Sequence, residues 1–116
     1  NFANNIVKVA LLSNMGKSEE AESLKTITFV NATEIELNLY GYQLINKNML
    51  EDAKNVFFMN LQRFPESWNV YDSYAESLNL LGDKAGAIKN YNLALSKAPD
   101  DQKERIQQIL ENLDNN

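Results

Sequence analysis

Apolar residues recur at spacings of three and four along most of the chain, which is the period of a helix that buries one face. In the last such segment Ile106, Ile109, Leu110 and Leu113 form one stripe. Its opposite side carries only polar residues: Gln102, Lys103, Arg105, Gln108 and Glu111. Gly, Asn, Pro or Ser separate the segments. The stripe predicts an amphipathic helix near residues 101–113.

The chain also repeats itself at an interval of 34 residues. The matched pairs are Tyr40 and Tyr74, Gly41 and Ala75, Leu44 and Leu78, Asn48 and Gly82, Ala53 and Ala87, Phe57 and Tyr91, and Pro65 and Pro99. Small residues allow two helices to approach closely, and an aromatic ring fills the space between helix pairs. Asn or Gly suits the left-handed conformation that ends a helix, and Pro ends the second helix. Asn60 departs from the pattern, because its counterpart is Ala94.

This order of residues resembles the tetratricopeptide repeat (TPR). The clearer copy reads Tyr71, Tyr74, Ala75, Leu78, Gly82, Ala87, Tyr91, Ala94 and Pro99. The resemblance implies an all-α, TPR-type α-solenoid of three helix pairs with a C-terminal capping helix. The seven helices are expected near residues 2–14, 18–30, 34–47, 50–63, 68–81, 84–97 and 101–113. We expect residues 1–116 to form a single domain, with a degenerate repeat at 2–33, repeats at 34–67 and 68–101, and a solvating helix at 101–113.

Three helix starts carry a local signal. Thr33 and Glu36 have the spacing of a capping box, in which each side chain accepts a hydrogen bond from the other's backbone N–H. Ser18 is expected to cap the second helix, and Asp100 or Asp101 the last one.

Composition narrows the possible functions. The net charge of -5 disfavours nucleic acid and anionic membrane surfaces as partners. The chain has no Cys and no His, so disulfides and the commonest metal ligand and general base are missing. We therefore expect no enzyme activity, catalytic residue, metal site or cofactor. No apolar run approaches the roughly 18–20 residues that span a bilayer. Because the chain begins with Asn1, we interpret it as a processed or excised piece.

The first helix of each pair lines the concave face in TPR proteins, and this resemblance selects a candidate peptide-binding groove. Its residues are Asn38, Tyr42, Asn46, Asn69, Asp72, Glu76 and Asn79. Amides there can bond to a peptide backbone, Tyr42 offers a flat contact area, and Asp72 and Glu76 can meet a basic side chain. The alternative interpretation is a solvated, unused face of an Asn-rich chain. A catalytic or metal-binding carboxylate pair is less favoured, because two acids on an open surface usually face solvent.

The groove does not match the carboxylate clamp of chaperone-binding TPR domains. The equivalent positions are Ile6, Ala10, Asn38, Tyr42, Asp72 and Glu76. None is basic, and the two acids would repel a terminal carboxylate.

Residues 32–44 and 65–73 resemble the C-terminal TPR tails of bacterial envelope proteins, which follow uncharacterised domains or serine-hydrolase domains. The resemblance implies a periplasmic, secreted or envelope-associated parent protein. Our leading hypothesis is a protein-interaction scaffold that binds a peptide or partner domain through its concave face. The alternative is an accessory domain that stabilises or shields a hydrolase domain outside this chain, with the degenerate repeat as the contact. A third option is self-association.

Overall fold

The computed structural model describes residues 1–115, which form seven α-helices and no strand. The helices are α1 (Phe2–Asn14), α2 (Ser18–Asn31), α3 (Glu34–Asn46), α4 (Leu50–Arg63), α5 (Trp68–Leu80), α6 (Lys84–Lys97) and α7 (Asp100–Asp114). Each end lies within one residue of the bound predicted from the sequence. The all-α prediction is therefore confirmed. None of the helices in the described range has the length and hydropathy needed to cross a membrane.

The chain divides into two compact units. The first comprises Asn1–Leu37, and the second begins at Asn38. The first unit contains α1, α2 and the first turn of α3, whereas the second contains the rest of α3 and helices α4 to α7.

In the first unit the start of α3 is a capping box. The Thr33 N–H donates to the Glu36 carboxylate over 2.9 Å, and the Glu36 N–H donates to Thr33 Oγ1 over 3.1 Å. This prediction is confirmed. The expected Ser18 cap is wrong, because α2 begins at Ser18 itself and Lys17 precedes it without a side-chain cap.

The expected aspartate cap of α7 is also wrong. Helix α7 begins at Asp100, and the preceding Pro99 makes no side-chain cap bond. Asp100 and Asp101 instead occupy the first turn, where their negative charge interacts favourably with the positive end of the helix dipole.

The turns after α1, α3 and α5 share one local geometry. Asn48 has φ 61°, and Gly16 and Gly82 have φ 78° and 89°, so all three adopt the left-handed conformation. The amide that follows each donates over 2.9 Å to a carbonyl five residues earlier: Lys17 to Leu12, Met49 to Leu44, and Asp83 to Leu78. This is the closure of a Schellman motif. The roles predicted for Asn48 and Gly82 are confirmed.

Small residues allow close helix packing in the second unit. Ala53, Ala75 and Ala87 have no exposed surface. Gly41 is buried, and a Cβ added there would collide with the Phe57 ring. The packing therefore favours glycine at a place where the next repeat carries alanine.

The hydrophobic core of the second unit is continuous from α5 to α7. Its buried members are Ala75, Leu78, Ala87, Tyr91, Ala94, Ala98, Ile106, Leu110 and Leu113. Trp68, Tyr71, Tyr74 and Ile109 pack against this cluster while partly exposed. The apolar residues predicted to line one side of the last helix therefore pack against α5 and α6. Asn60 is 1% exposed, and its counterpart Ala94 in the next repeat is fully buried. The same buried position of the repeat therefore holds a polar amide in one copy and a methyl group in the other.

Candidate functional site

All seven candidate groove residues lie on α3 and α5 of the second unit: Asn38, Tyr42 and Asn46 on α3, and Asn69, Asp72, Glu76 and Asn79 on α5. Asn38 contacts Ser73, and Tyr42 contacts Glu76 one turn further along both helices. Because both contacts advance in the same direction, the two helices run parallel and side by side.

A hydrogen-bonded chain joins the two helices. The Ser73 hydroxyl, which is 1% exposed, donates to Asn38 Oδ1 over 2.6 Å. The Tyr42 hydroxyl donates to Glu76 Oε1 over 3.0 Å and lies 3.2 Å from Ser73 Oγ. Hydrogen bonds to a carboxylate are stronger than neutral ones, so we assign the single phenolic proton to Glu76. These hydrogen bonds therefore hold the side chains of Tyr42 and Glu76 in one geometry.

The Tyr42 ring is also fixed by packing against an aromatic residue of α4, Phe57. The edge of its ring packs against the Phe57 ring, with the centroids 5.1 Å apart and the planes at 64°. Burial raises the pKa of Tyr42 to about 12; the Ser73 hydrogen bond opposes this rise, and the Glu76 charge adds to it. The hydroxyl is therefore protonated at neutral pH and acts as a donor.

Asp72 is buried and paired within the chain. Its side chain is 10% exposed, and its Oδ2 lies 3.0 Å from Nη2 of Arg105 on α7. The Arg105 guanidinium also lies 6.0 Å from the Trp68 ring centroid, one turn before Asp72 on α5. Burial raises the pKa of Asp72, and the charge of Arg105 opposes that rise. Within residues 1–115, Asp72 Oδ1 is buried without a hydrogen-bond partner.

The sequence pattern missed this ion pair, because it placed Arg105 on the solvent side of the last helix. Arg105 precedes Ile106, which is fully buried, so it lies at the border of the packed face. A long side chain at such a border can extend along the neighbouring surface and still expose part of its length. The Arg105 side chain is 45% exposed.

Within the second unit, the pairing of Asp72 leaves Glu76 as the acid on α3 and α5 that has no ion pair. Glu76 is half-buried and makes no ion pair with any residue from 1 to 115. Asn46 and Asn79 are exposed, and Asn69 is half-buried. In the described part of the chain, no group of three or more acidic side chains is placed to hold a metal ion.

Two large apolar side chains are exposed next to the Tyr42–Glu76 pair. Leu39 on α3 is 58% exposed, and Leu80 on α5 is 47% exposed. Leu39 precedes Tyr42 by three residues, and Leu80 follows Glu76 by four, so each lies about one helical turn from the pair.

The chain matches no protein-family model and no curated protein. It is similar in structure to the crystal structure of PcrH from Pseudomonas aeruginosa, with a TM-score of 0.68 and 15% sequence identity. The match covers 97% of this chain and 90% of PcrH. The likeness shows that the fold is a TPR-type helical repeat.

Proposed function

We propose that this chain is a protein-interaction module, and that its second unit binds an extended segment of a partner protein. The binding surface is the α3–α5 face, which we define as Asn38, Leu39, Tyr42, Asn46, Asn69, Glu76, Asn79 and Leu80. The observation that carries the proposal is the rigid Tyr42–Glu76 pair with an exposed leucine on either side of it.

This arrangement suits a peptide for two reasons. Exposed leucines leave apolar surface in water, and covering that surface favours binding. The side chains between them are already ordered by hydrogen bonds and by Phe57, so little conformational entropy is lost when a ligand contacts them. The exposed amides of Asn46 and Asn79 can bond to peptide groups on either side.

We do not propose a carboxylate clamp. Helices α3 and α5 contain no Lys or Arg. The guanidinium that reaches α5 belongs to Arg105, and Asp72 already binds it. A terminal carboxylate placed at the centre of the face would meet Glu76 and be repelled. The function we propose is binding without catalysis, and it needs no metal or cofactor.

The test is a titration of the ¹⁵N-labelled full chain with pools of random octapeptides, acetylated and amidated to remove terminal charges. We expect amide shifts in α3 and α5 that saturate. Leu39→Asp and Leu80→Asp should each remove them, since a charge replaces the apolar contact. Leu93→Asp is the matched control, because Leu93 is also exposed but lies on α6. Shifts confined to other helices, or unchanged by the two variants, would contradict the proposal.

A second candidate function rests on the first unit. Six of the eleven large apolar residues exposed within residues 1–115 lie there: Val7, Leu11, Met15, Ile27, Val30 and Ile35. Each is at least 55% exposed. These exposed apolar side chains support an accessory role, in which the first unit packs against another domain of a longer parent protein. On the resemblance of residues 32–44 and 65–73, that parent would be a bacterial envelope or secreted protein.

The accessory role is tested in the parent protein by Val7→Glu combined with Leu11→Glu. We expect a lower melting temperature of the neighbouring domain, with the helical content of this chain alone unchanged. Sedimentation of the chain alone, across a range of concentrations, separates this role from self-association. Concentration-dependent dimers abolished by the same pair of substitutions would favour self-association instead.

A further inference from the structure

We propose that the α3–α5 face selects segments in which a lysine or arginine lies between two apolar residues, and that Glu76 recognises the cation. This inference rests on the proposed function and specifies the chemistry of the partner.

The first argument is the charge of the face. Within the second unit, α3 and α5 carry two acids, Asp72 and Glu76, and no base. Arg105 compensates Asp72 through their contact of 3.0 Å. The charge of Glu76 is left without a counter-ion among residues 1–115, in a chain whose net charge is already -5. A cationic side chain supplies the missing charge.

The second argument is the state of the Glu76 carboxylate. Its Oε1 accepts the hydrogen bond from Tyr42, and Tyr42 is itself fixed by Ser73 and Phe57. Its Oε2 takes part in no hydrogen bond within the described residues and can accept from a ligand. A carboxylate held in this way loses little side-chain entropy on pairing, unlike an acid on an unrestrained surface.

The third argument is the distance between the two apolar contacts. Leu39 lies three residues before Tyr42, and Leu80 four residues after Glu76, which is level with Tyr42. At a rise of about 1.5 Å per residue, the two leucines lie about 10 Å apart along the helix axes. Packed helices lie about 8–10 Å apart sideways, so the two leucines are separated by about 13–14 Å. An extended segment covers about 13 Å in four residues, and its side chains at i, i+2 and i+4 face the same side. The basic residue therefore takes position i+2 between apolar residues at i and i+4.

The test uses four pools of capped octapeptides with leucine at positions three and seven, one defined residue at position five, and random residues elsewhere. That residue is lysine, arginine, glutamine or glutamate. We expect the lysine and arginine pools to bind about tenfold more tightly than the glutamine pool, and the glutamate pool to bind most weakly. Fluorescence anisotropy of the labelled pools measures the dissociation constants.

Variants then assign the preference to one residue. Glu76→Gln should reduce the tenfold preference to less than about twofold, since the charge is lost while an acceptor is kept. Glu76→Lys should reverse it in favour of the glutamate pool. The control is Glu111→Gln, which changes the net charge equally at an exposed position on α7. Circular dichroism confirms that each variant is folded.

The outcomes separate the two proposals. If the pools bind equally well, peptide binding stands and selection of a cation is wrong. If Glu111→Gln lowers the preference as much as Glu76→Gln, the attraction is a property of the whole acidic chain, and recognition by Glu76 is wrong. If neither these pools nor random octapeptides bind, the proposed function itself fails.

Discussion

Arg105 on α7 lies 3.0 Å from the buried carboxylate of Asp72 on α5, and this contact links the last helix to one of the two helices that form the α3–α5 face. The two residues differ in burial, because the aspartate side chain is 10% exposed and the arginine side chain 45%. Removing the arginine therefore costs more than the loss of an ordinary surface pair, since it leaves the aspartate charge buried without compensation.

We expect Arg105→Met to lower the free energy of unfolding by about 1–2 kcal/mol. This is below the roughly 3–5 kcal/mol of a fully buried pair, because solvent screens the exposed guanidinium. Urea unfolding measures the change. Lys103→Met is the control, as its pair with Asp100 is exposed and should contribute less than about 0.5 kcal/mol. Equal effects of the two substitutions would show that Asp72 is not desolvated.

The pH dependence of stability provides a test of Asp72 itself. Its pKa in the folded chain is raised above the ordinary value of 3.8, mainly by burial. The native state thus holds this proton more tightly than the unfolded state. The resulting stabilisation is complete below pH 3.8 and is lost as the pH rises through the raised pKa.

Asp72→Asn removes this contribution. We therefore expect the stability of the wild type, relative to Asp72→Asn, to fall as the pH rises from 3.8 towards neutrality. Chemical unfolding of both proteins at several pH values in this range measures the difference between their free energies of unfolding. A relative stability that rises with pH would mean that the Arg105 charge outweighs burial.

The alkaline range tests the geometry of Tyr42. Its pKa is raised from 10.0 to about 12, so the stabilisation due to its protonated form is complete below pH 10 and lost as the pH approaches about 12. In a titration of phenolate ultraviolet absorbance, Tyr42→Phe should remove one ionisation with a midpoint near 12. If the missing ionisation lies at 10 instead, the hydroxyl is solvated and its bond to Glu76 is absent in solution.

Gly41 gives a prediction about packing between α3 and α4. Alanine favours a helix by about 1 kcal/mol over glycine, but a methyl group at Gly41 collides with the Phe57 ring. We expect Gly41→Ala to destabilise the chain by about 1–3 kcal/mol. Thermal unfolding measures this, with Gln43→Ala on the exposed side of α3 as a control expected to lie within about 0.5 kcal/mol of the wild type. An increase in the melting temperature would mean that Phe57 can move aside.

Much of the fold was predictable because its signals are local. Asn48 and Gly82 tolerate the left-handed backbone after a helix, and Thr33 and Glu36 bond to each other's amides within one turn. These preferences act over a few residues and repeat at an interval of 34. The sequence by itself therefore determined the seven helices, their bounds and their turns.

The candidate site was predictable only in part. The repeat register assigned Tyr42 and Glu76 to the same face, and the structure joins them by a hydrogen bond. It did not indicate that Ser73 would connect Asn38 to this pair, or that Arg105 would bind Asp72. These partners are 31 to 35 residues apart in the sequence, and several rotamers of each could satisfy the same pattern. Only the tertiary structure, by packing α3 and α7 against α5, decided that Asp72 is paired inside and Glu76 faces outward.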